Sequence, residues 1–375
     1  VQKNGIWLNF SGTTPIPNFA KKTIAEFFDE YGEYGVFATR FTHSKVRGRI
    51  LDHLGKLLHC DPNRIGLTHN TSEGMNLFSH SIDLKPNTKI LVWEDEYPSN
   101  VYPWEHWKNK GVSIEFVKSG KSPEESEGFF LEKLKTSDVS LVSLSPVHWC
   151  TGIPLPLERI RKFCRENSIF FVIDGSQGVG NIPIDLGELE PDFLVSAAWK
   201  WLLGPLGLGF VYLSPKYDST FRLLFKGQST VTDDGNYLPY RDQWKTAPEQ
   251  FEFSTISMQD WVYFFSTLEL LGSIGWEKVF ERRRFLSNCL LQEIHDLNLY
   301  SDLTPNKGVF SGIVTIQGHN SQKFTPEALQ TYLRKNLVYT TVRLGRLRLA
   351  PHIPVTESHL SRLKILLQDF FSKQV

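Results

Sequence analysis

Between residues 64 and 213 the sequence repeats one pattern, a strand-length apolar run followed by an amphipathic stretch. The runs are RIGLTH (64–69), KILVWE (89–94), VSLVSL (139–144), IFFVID (169–174), DFLVSA (192–197) and GLGFVYL (207–213). Helical patterns such as PLERIRKFCREN (156–167) lie between several of them. Strands that are apolar on nearly every residue have no side to give to water, so both faces of their sheet must be covered. Crossover helices supply that cover and make the sheet mainly parallel. The spacing predicts an α/β fold with helices on both faces of a mainly parallel central sheet.

Downstream the pattern changes. From about Pro215 to Phe253 the chain becomes polar and aromatic, including GQSTVTDDGNYLPYRDQW, a connection longer than compact domains ordinarily use. A long helical stretch follows at 257–298, then strand-like GVFSGIVTI (308–316) and GRLRLAP (345–351), with helices near 325–336 and 356–373. This predicts a smaller α+β domain at the C-terminus. At about 150 residues per domain, 375 residues make two or three domains. The expected division is a large domain over 15–255 and a small one over 256–375, with 1–14 packed on the small one.

Composition removes several classes of function. Lys+Arg and Asp+Glu both number 41, so no net field draws the chain to nucleic acid or to an anionic membrane. Hydrophobic residues at 41% and charged residues at 22% describe a globular protein. Cys60, Cys150, Cys164 and Cys289 form no CxxC pair and no zinc-like spacing with histidine, so no metal is expected. So few thiols suit a reduced, cytoplasmic protein without a disulfide framework. VQKNGIWLNF lacks the apolar core of a signal peptide. The longest apolar stretch, Phe193 to Leu213, is broken by Lys200 and by Gly204, Pro205, Gly207 and Gly209, so no membrane span is expected.

In an open parallel sheet, ligands bind beyond the carboxyl ends of the strands. Five strand ends here deliver polar groups to that rim: Asn70-Thr71-Ser72-Glu73, Tyr97 with its neighbours, His148-Trp149-Cys150, Asp174-Gly175-Ser176-Gln177, and Trp199-Lys200. Lys200 has no other charge for seven or more residues on either side. On composition alone it reads first as a lysine snorkelling from an apolar surface, and second as a desolvated amine able to form a Schiff base with an aldehyde. Asp174 fits a turn residue, or a carboxylate that keeps a pyridine nitrogen protonated. Asn70 followed by Glu73 reads as a capping box, and the same helix start offers hydroxyls and free N–H groups to a phosphate.

The order of these features, with the lysine 26 residues after the aspartate, resembles the class V aminotransferase family of pyridoxal-phosphate enzymes. That family includes cysteine desulfurases and proteins similar to isopenicillin epimerase and kynureninase. The segments that carry the resemblance are THNTSEGMN, EYPSNVYPW, SPVHWCTGIPLPLERI, VIDGSQGVGNIPIDLGELEPDFLVSAAWKWLLGPLGLGF, FEFST and RLRLAPHIPVTE. They span almost the whole chain. The resemblance implies the type I fold of these transferases, pyridoxal 5'-phosphate as cofactor, a small amino-acid substrate and a homodimer.

By motif, it makes Lys200 the residue bonded to the cofactor and Asp174 the partner of the ring nitrogen. Gln177 falls beside the ring hydroxyl and Tyr97 is stacked on the ring. Thr71 and Ser72 fall at the phosphate. Trp199 replaces a histidine common in relatives, and its indole N–H is the remaining donor there. Thr255 matches a threonine that reaches the phosphate of the partner subunit, although Ser254 replaces the usual glycine. Arg348 matches the arginine that holds the substrate α-carboxylate, with His148, Trp149 and Asn9 expected to border the substrate. RKNLVYTTVRLGRLRL, leading to Arg348, contains no cysteine, which disfavours the persulfide route of cysteine desulfurases. The expected activity is aminotransferase-like, with a C–S lyase, an epimerase and a non-catalytic relative as alternatives. A nucleotide-binding α/β protein would need a glycine-rich loop that THNTSEG lacks.

Overall fold

The computed structural model describes residues 5–372 apart from 121, 219, 222, 234, 304–309 and 318–323. The strands are β1 (Ile6–Trp7), β2 (Ile65–Thr68), β3 (Lys89–Trp93), β4 (Ser113–Val117), β5 (Val139–Leu144), β6 (Phe170–Asp174), β7 (Phe193–Ala197) and β8 (Gly209–Leu213), then β9 (Val314–Ile316), β10 (Val338–Tyr339), β11 (Thr341–Arg343) and β12 (Arg346–Leu349). The helices are α1 (Asn18–Tyr34), α2 (His43–Leu58), α3 (Thr71–Ser79), α4 (Pro123–Thr136) and α5 (Glu158–Glu166), then α6 (Leu186–Leu189), α7 (Met258–Ile274), α8 (Trp276–Asp296), α9 (Pro326–Lys335) and α10 (Glu357–Ser372).

The central sheet has the order β2-β8-β7-β6-β5-β3-β4. Every pairing in it is parallel except those of β8, which runs antiparallel to both β7 and β2. The strands split their side chains between two cores. On β6, Phe171 and Ile173 join one apolar cluster while Val172 joins the other; on β3, Leu91 and Trp93 oppose Ile90 and Val92. This alternation is why the runs are apolar throughout. Each fully buried aliphatic or aromatic side chain contributes roughly 1.5–3 kcal/mol. β2 lies at the sheet edge, where a Cβ on Gly66 would stand 2.1 Å from the Pro248 carbonyl oxygen. Glycine there lets the 248–251 turn press onto the strand.

A third core contains Ile6, Leu8 and Phe10 together with residues of α8, β9, β12 and α10. β1 pairs in parallel with β10, and β9, β11 and β12 form an antiparallel sheet. We propose the domain division 15–255 and 256–375, with residues 5–14 of the N-terminal segment packed on the smaller part and α7 as the bridge, since its Trp261, Phe264 and Leu268 pack into the first core while Leu271 joins the third; residues 1–4 lie outside the described residues.

Two expectations need correction, and one strand of the sheet, β4, has no counterpart among the apolar runs. The helical stretch 257–298 is two helices, because Gly275 takes φ 92° between α7 and α8. The run 308–316 is a strand only over Val314–Ile316, and 308–309 lie outside the described residues. β4 (SIEFV) has no continuous apolar run, since as an edge strand it is largely uncovered. The C-terminal helix ends at Ser372 in the described residues, and 373 falls outside them. Among the described residues no helix is long and apolar enough to cross a membrane, and no cluster of His, Cys, Asp or Glu could hold a metal ion.

Candidate active site

The carboxyl ends of β3, β5, β6 and β7 and the start of α3 surround a cavity of about 450 Å³. A larger depression, about 960 Å³, opens beside the amino end of β6, but its arginines Arg64, Arg161 and Arg165 are each engaged by an acid. The smaller cavity is lined by most of the residues singled out in the sequence, with Asp174 just beneath its wall between Ser176 and Lys200.

At the start of α3, Asn70 Oδ1 accepts the N–H of Glu73 at 2.9 Å, and Glu73 Oε2 accepts the N–H of His69 at 2.6 Å. The Asn70 amide oxygen is thus spent on the cap, and Asn70, Thr71 and Ser72 line the cavity with the first free N–H groups of the helix. Buried Thr71 shares a hydrogen bond of 2.8 Å with Ser176 Oγ. Trp199 lines the same wall, and its indole N–H has no partner among the described residues. Two hydroxyls, a helix start and an indole donor match the needs of a phosphate.

Asp174 ends β6 and is 3% exposed. Its Oδ1 accepts the Ser176 N–H at 2.9 Å, while Oδ2 takes no hydrogen bond among the described residues. That oxygen is free to accept a hydrogen bond, and a protonated ring nitrogen is such a donor. Gln177 is held at both ends, Nε2 donating to the Ser11 carbonyl and Oε1 accepting from Trp201 Nε1, each at 2.9 Å. Its second amide hydrogen is left for a ligand oxygen.

Lys200 stands half-buried on the cavity wall, its Nζ 5.5 Å from the centre of the Tyr97 ring. Burial lowers its pKa to about 8; Asp174 opposes the shift and Arg348 adds to it. Tyr97 meets Trp149 edge-on at 5.4 Å, and Trp149 donates its indole N–H to the Asp95 carbonyl at 2.6 Å.

Arg348 is 3% exposed. Its Nε and Nη2 donate to Thr341 Oγ1 at 3.3 and 3.0 Å, and Nη1 donates to the Trp149 carbonyl. Burial is the main reason its pKa falls to about 10. Thr341 Oγ1 also reaches Asn9 Oδ1 at 3.2 Å, which brings the N-terminal segment to the cavity. The geometry suits an amine nucleophile, an anion cradle and a carboxylate fork in one chamber.

The cavity therefore gathers Asn9, Thr71, Ser72, Tyr97, Trp149, Gln177, Trp199, Lys200 and Arg348. His148 is a correction: it does not line the cavity. It is 2% exposed, its Nδ1 accepts the Thr151 N–H at 3.3 Å, and its ring packs edge-on against Trp93. Burial lowers its pKa to about 4, so it serves the turn as a neutral ring. Thr255 is exposed and outside this cavity. Sequence reasoning missed Ser11, Ser176, Trp201, Thr341 and Arg343. Only Ser176 carried a signal, lying between Asp174 and Gln177. Buried Glu96 was also missed; it accepts the N–H groups of Tyr97 and Ser145 at 2.8 and 3.1 Å.

The sequence model of one family, aminotransferase class-V, matches residues 6–351. Among curated relatives, a probable cysteine desulfurase of Methanothermobacter thermautotrophicus is 22% identical over 87% of this chain and 82% of its own length. The isopenicillin N epimerase of Streptomyces clavuligerus is 24% identical over 70% of this chain and 67% of its own. Two solved structures of the cystine C–S lyase C-DES each align with a TM-score of 0.87 over 98% of this chain. One, 21% identical, holds the reaction product cysteine persulfide and is covered over 98% of its length; the other, 20% identical, holds glycine covalently linked to the pyridoxal-phosphate cofactor and is covered over 97%. At such identities these two structures speak for the fold.

Proposed function

The chain belongs to the class-V aminotransferase family, and with it to the pyridoxal-phosphate-dependent enzymes of the type I fold; on that premise we propose that it acts at the α-carbon of an amino acid, with Lys200 as the residue that bonds the cofactor. The observation that carries this reading is a desolvated amine, Lys200, sharing one cavity wall with a buried guanidinium, Arg348.

The residues fit the cofactor end to end. Thr71, Ser72 and Trp199 would hold the phosphate. Tyr97 would cover the ring, Asp174 Oδ2 would meet its nitrogen, and the free Gln177 amide hydrogen would meet its hydroxyl oxygen. When bound, pyridoxal phosphate supplies an electron sink for charge developing at the substrate α-carbon. Arg348 orients the substrate by its α-carboxylate, pre-organised by Thr341 and the Trp149 carbonyl. The Lys200 amine, substantially neutral near pH 8, takes the α-proton. Asp174 stays close enough to Lys200 to influence its charge, so proton and ring are governed from one carboxylate.

The leading reading is an aminotransferase-like reaction. A C–S lyase or epimerase is the second, favoured by the names of the relatives. The persulfide route through a loop cysteine has less support, because no cysteine precedes Arg348 in that segment. Cys150, nearer the site, is buried with its thiol pKa raised, mainly by that burial. A homodimer agrees with Thr255 being exposed away from its own cavity, where it would reach the partner's cofactor phosphate.

Borohydride reduction of the protein with its cofactor tests the reading. The expected result is a stable adduct on Lys200 that disappears in Lys200→Ala. An adduct that survives that substitution sinks the assignment. With a panel of amino acids, keto acid plus aminated cofactor marks transamination; sulfide, or pyruvate with ammonia, marks the lyase.

A further inference from the structure

The β11–β12 hairpin presents an unbalanced face. In its register Thr341 lies opposite Arg348 and Arg343 lies opposite Arg346. Directly paired residues share a face, as do residues two apart on one strand, so all four side chains stand on the same side. That face carries three guanidinium groups. One is neutralised, since Arg346 pairs with Asp302 at 2.9 Å. Arg348 is the fork already assigned. Arg343 has no acid partner among the described residues; its Nη1 donates to the Val342 carbonyl at 2.7 Å, and its other donors are unspent.

Arg343 is exposed, and it opens into the same cavity as Lys200 and Arg348. The charged residues lining that cavity are these three cations, and the carboxylates nearest to them, Asp174 and Glu96, act on Lys200. Like charges facing each other across a strand pair are destabilising. The hairpin also turns through Leu344 at φ 46° and Gly345 at φ 70°, and a left-handed leucine is uncommon. Such costs persist where the surrounding structure fixes them, often at ligand sites. The tight turn fixes Arg343 across from Arg346 and five residues from Arg348.

We propose that Arg343 is a second anion-binding group in the substrate cavity, and that the substrate is an α-amino acid whose side chain carries another acidic group. The α-carboxylate takes Arg348 and the distal anion takes Arg343. This rests on the reading of the site given above.

The test uses binding of unreactive acids to the holoenzyme at low salt, followed by the bound cofactor's absorbance or by Trp149 fluorescence. The probes are succinate, glutarate and adipate against butyrate and pentanoate. The best dicarboxylate should bind at least about tenfold tighter than the monocarboxylates, the scale of one charge-assisted hydrogen-bonded contact. In Arg343→Ala that ratio should fall to about one while monocarboxylate affinity is unchanged; Arg343→Lys should keep part of it. No preference in the wild type, or a preference that survives Arg343→Ala, overturns the proposal. The borohydride adduct separates the two ideas. An adduct without dicarboxylate preference refutes this inference alone. A dicarboxylate preference without an adduct on Lys200 refutes the cofactor assignment and leaves Arg343 standing.

Discussion

Trp201 donates its indole N–H to Gln177 Oε1 at 2.9 Å, and this bond settles which end of the amide meets the cavity. The other neighbour of the amide is an acceptor, the Ser11 carbonyl. A flipped amide would set oxygen against oxygen and N–H against N–H, in a place where both residues are buried. Each unmet buried group costs about 1–3 kcal/mol. Gln177 is therefore a donor toward any ligand.

Trp201→Phe removes the indole donor and keeps an aromatic ring. Stability should fall by about 1–3 kcal/mol in urea titrations, the cost of an orphaned buried acceptor. The pH midpoint of the bound cofactor's visible absorbance should move as well. In a Gln177→Leu background, adding Trp201→Phe should leave that midpoint where it was. A further shift there would mean that Trp201 acts by another route.

The Lys200 amine should behave as a base of pKa about 8, with burial the first cause. Attachment of pyridoxal phosphate to the apoprotein should quicken as pH rises through about 8 and then level, whereas an ordinary lysine would keep gaining toward 10.5. The unfolded chain holds this proton more tightly than the folded one. Apoprotein stability should therefore rise between about pH 8 and 10.5, and Lys200→Met should flatten that rise. Stopped-flow attachment rates and urea melts read the two effects separately.

Glu96 has the opposite sign. Burial, then the charge of Asp174, raises its pKa from 4.5 to about 7, against the hydrogen bonds it accepts from Tyr97 and Ser145. The folded chain keeps this proton to higher pH than the unfolded chain does. Its contribution is therefore greatest below about pH 4.5 and is lost as pH climbs to about 7. Glu96→Gln should show a shallower decline over that window, and parallel profiles for the two proteins would remove Glu96 as the cause.

Arg348→Ala should raise KM for amino acids by roughly 10- to 100-fold, the loss of a charge-assisted pair. Plain amines should be little affected. Arg348→Lys should recover part of the loss, since a point charge cannot hold Thr341, the Trp149 carbonyl and a substrate carboxylate together. Equal changes for amines and amino acids would take Arg348 out of this role.

Much of the molecule was legible in the chain itself. The six apolar runs became strands of one sheet because burial on both faces imposes a continuous apolar pattern that needs no distant information. Lys200 and Asp174 were legible because each follows its strand directly, and a strand end in a parallel sheet is already a place at the rim. His148 follows its strand too, yet its ring turns back onto the Cys150 and Thr151 amides and packs against the Trp93 ring, and that last contact exists only once β3 and β5 pair.

The sequence by itself determined the layered fold and the order of chemistry along the rim, since apolar periodicity and strand-end motifs are local properties. Tertiary structure alone decided the rest of the chamber. Asn9 meets Thr341 across 332 residues, and Ser11 fixes Gln177 across 166. Arg343 and Arg348 face one cavity because a two-residue turn sets the hairpin register. Which side chains share a cavity is set by packing between segments far apart in the chain, and no local pattern encodes that distance.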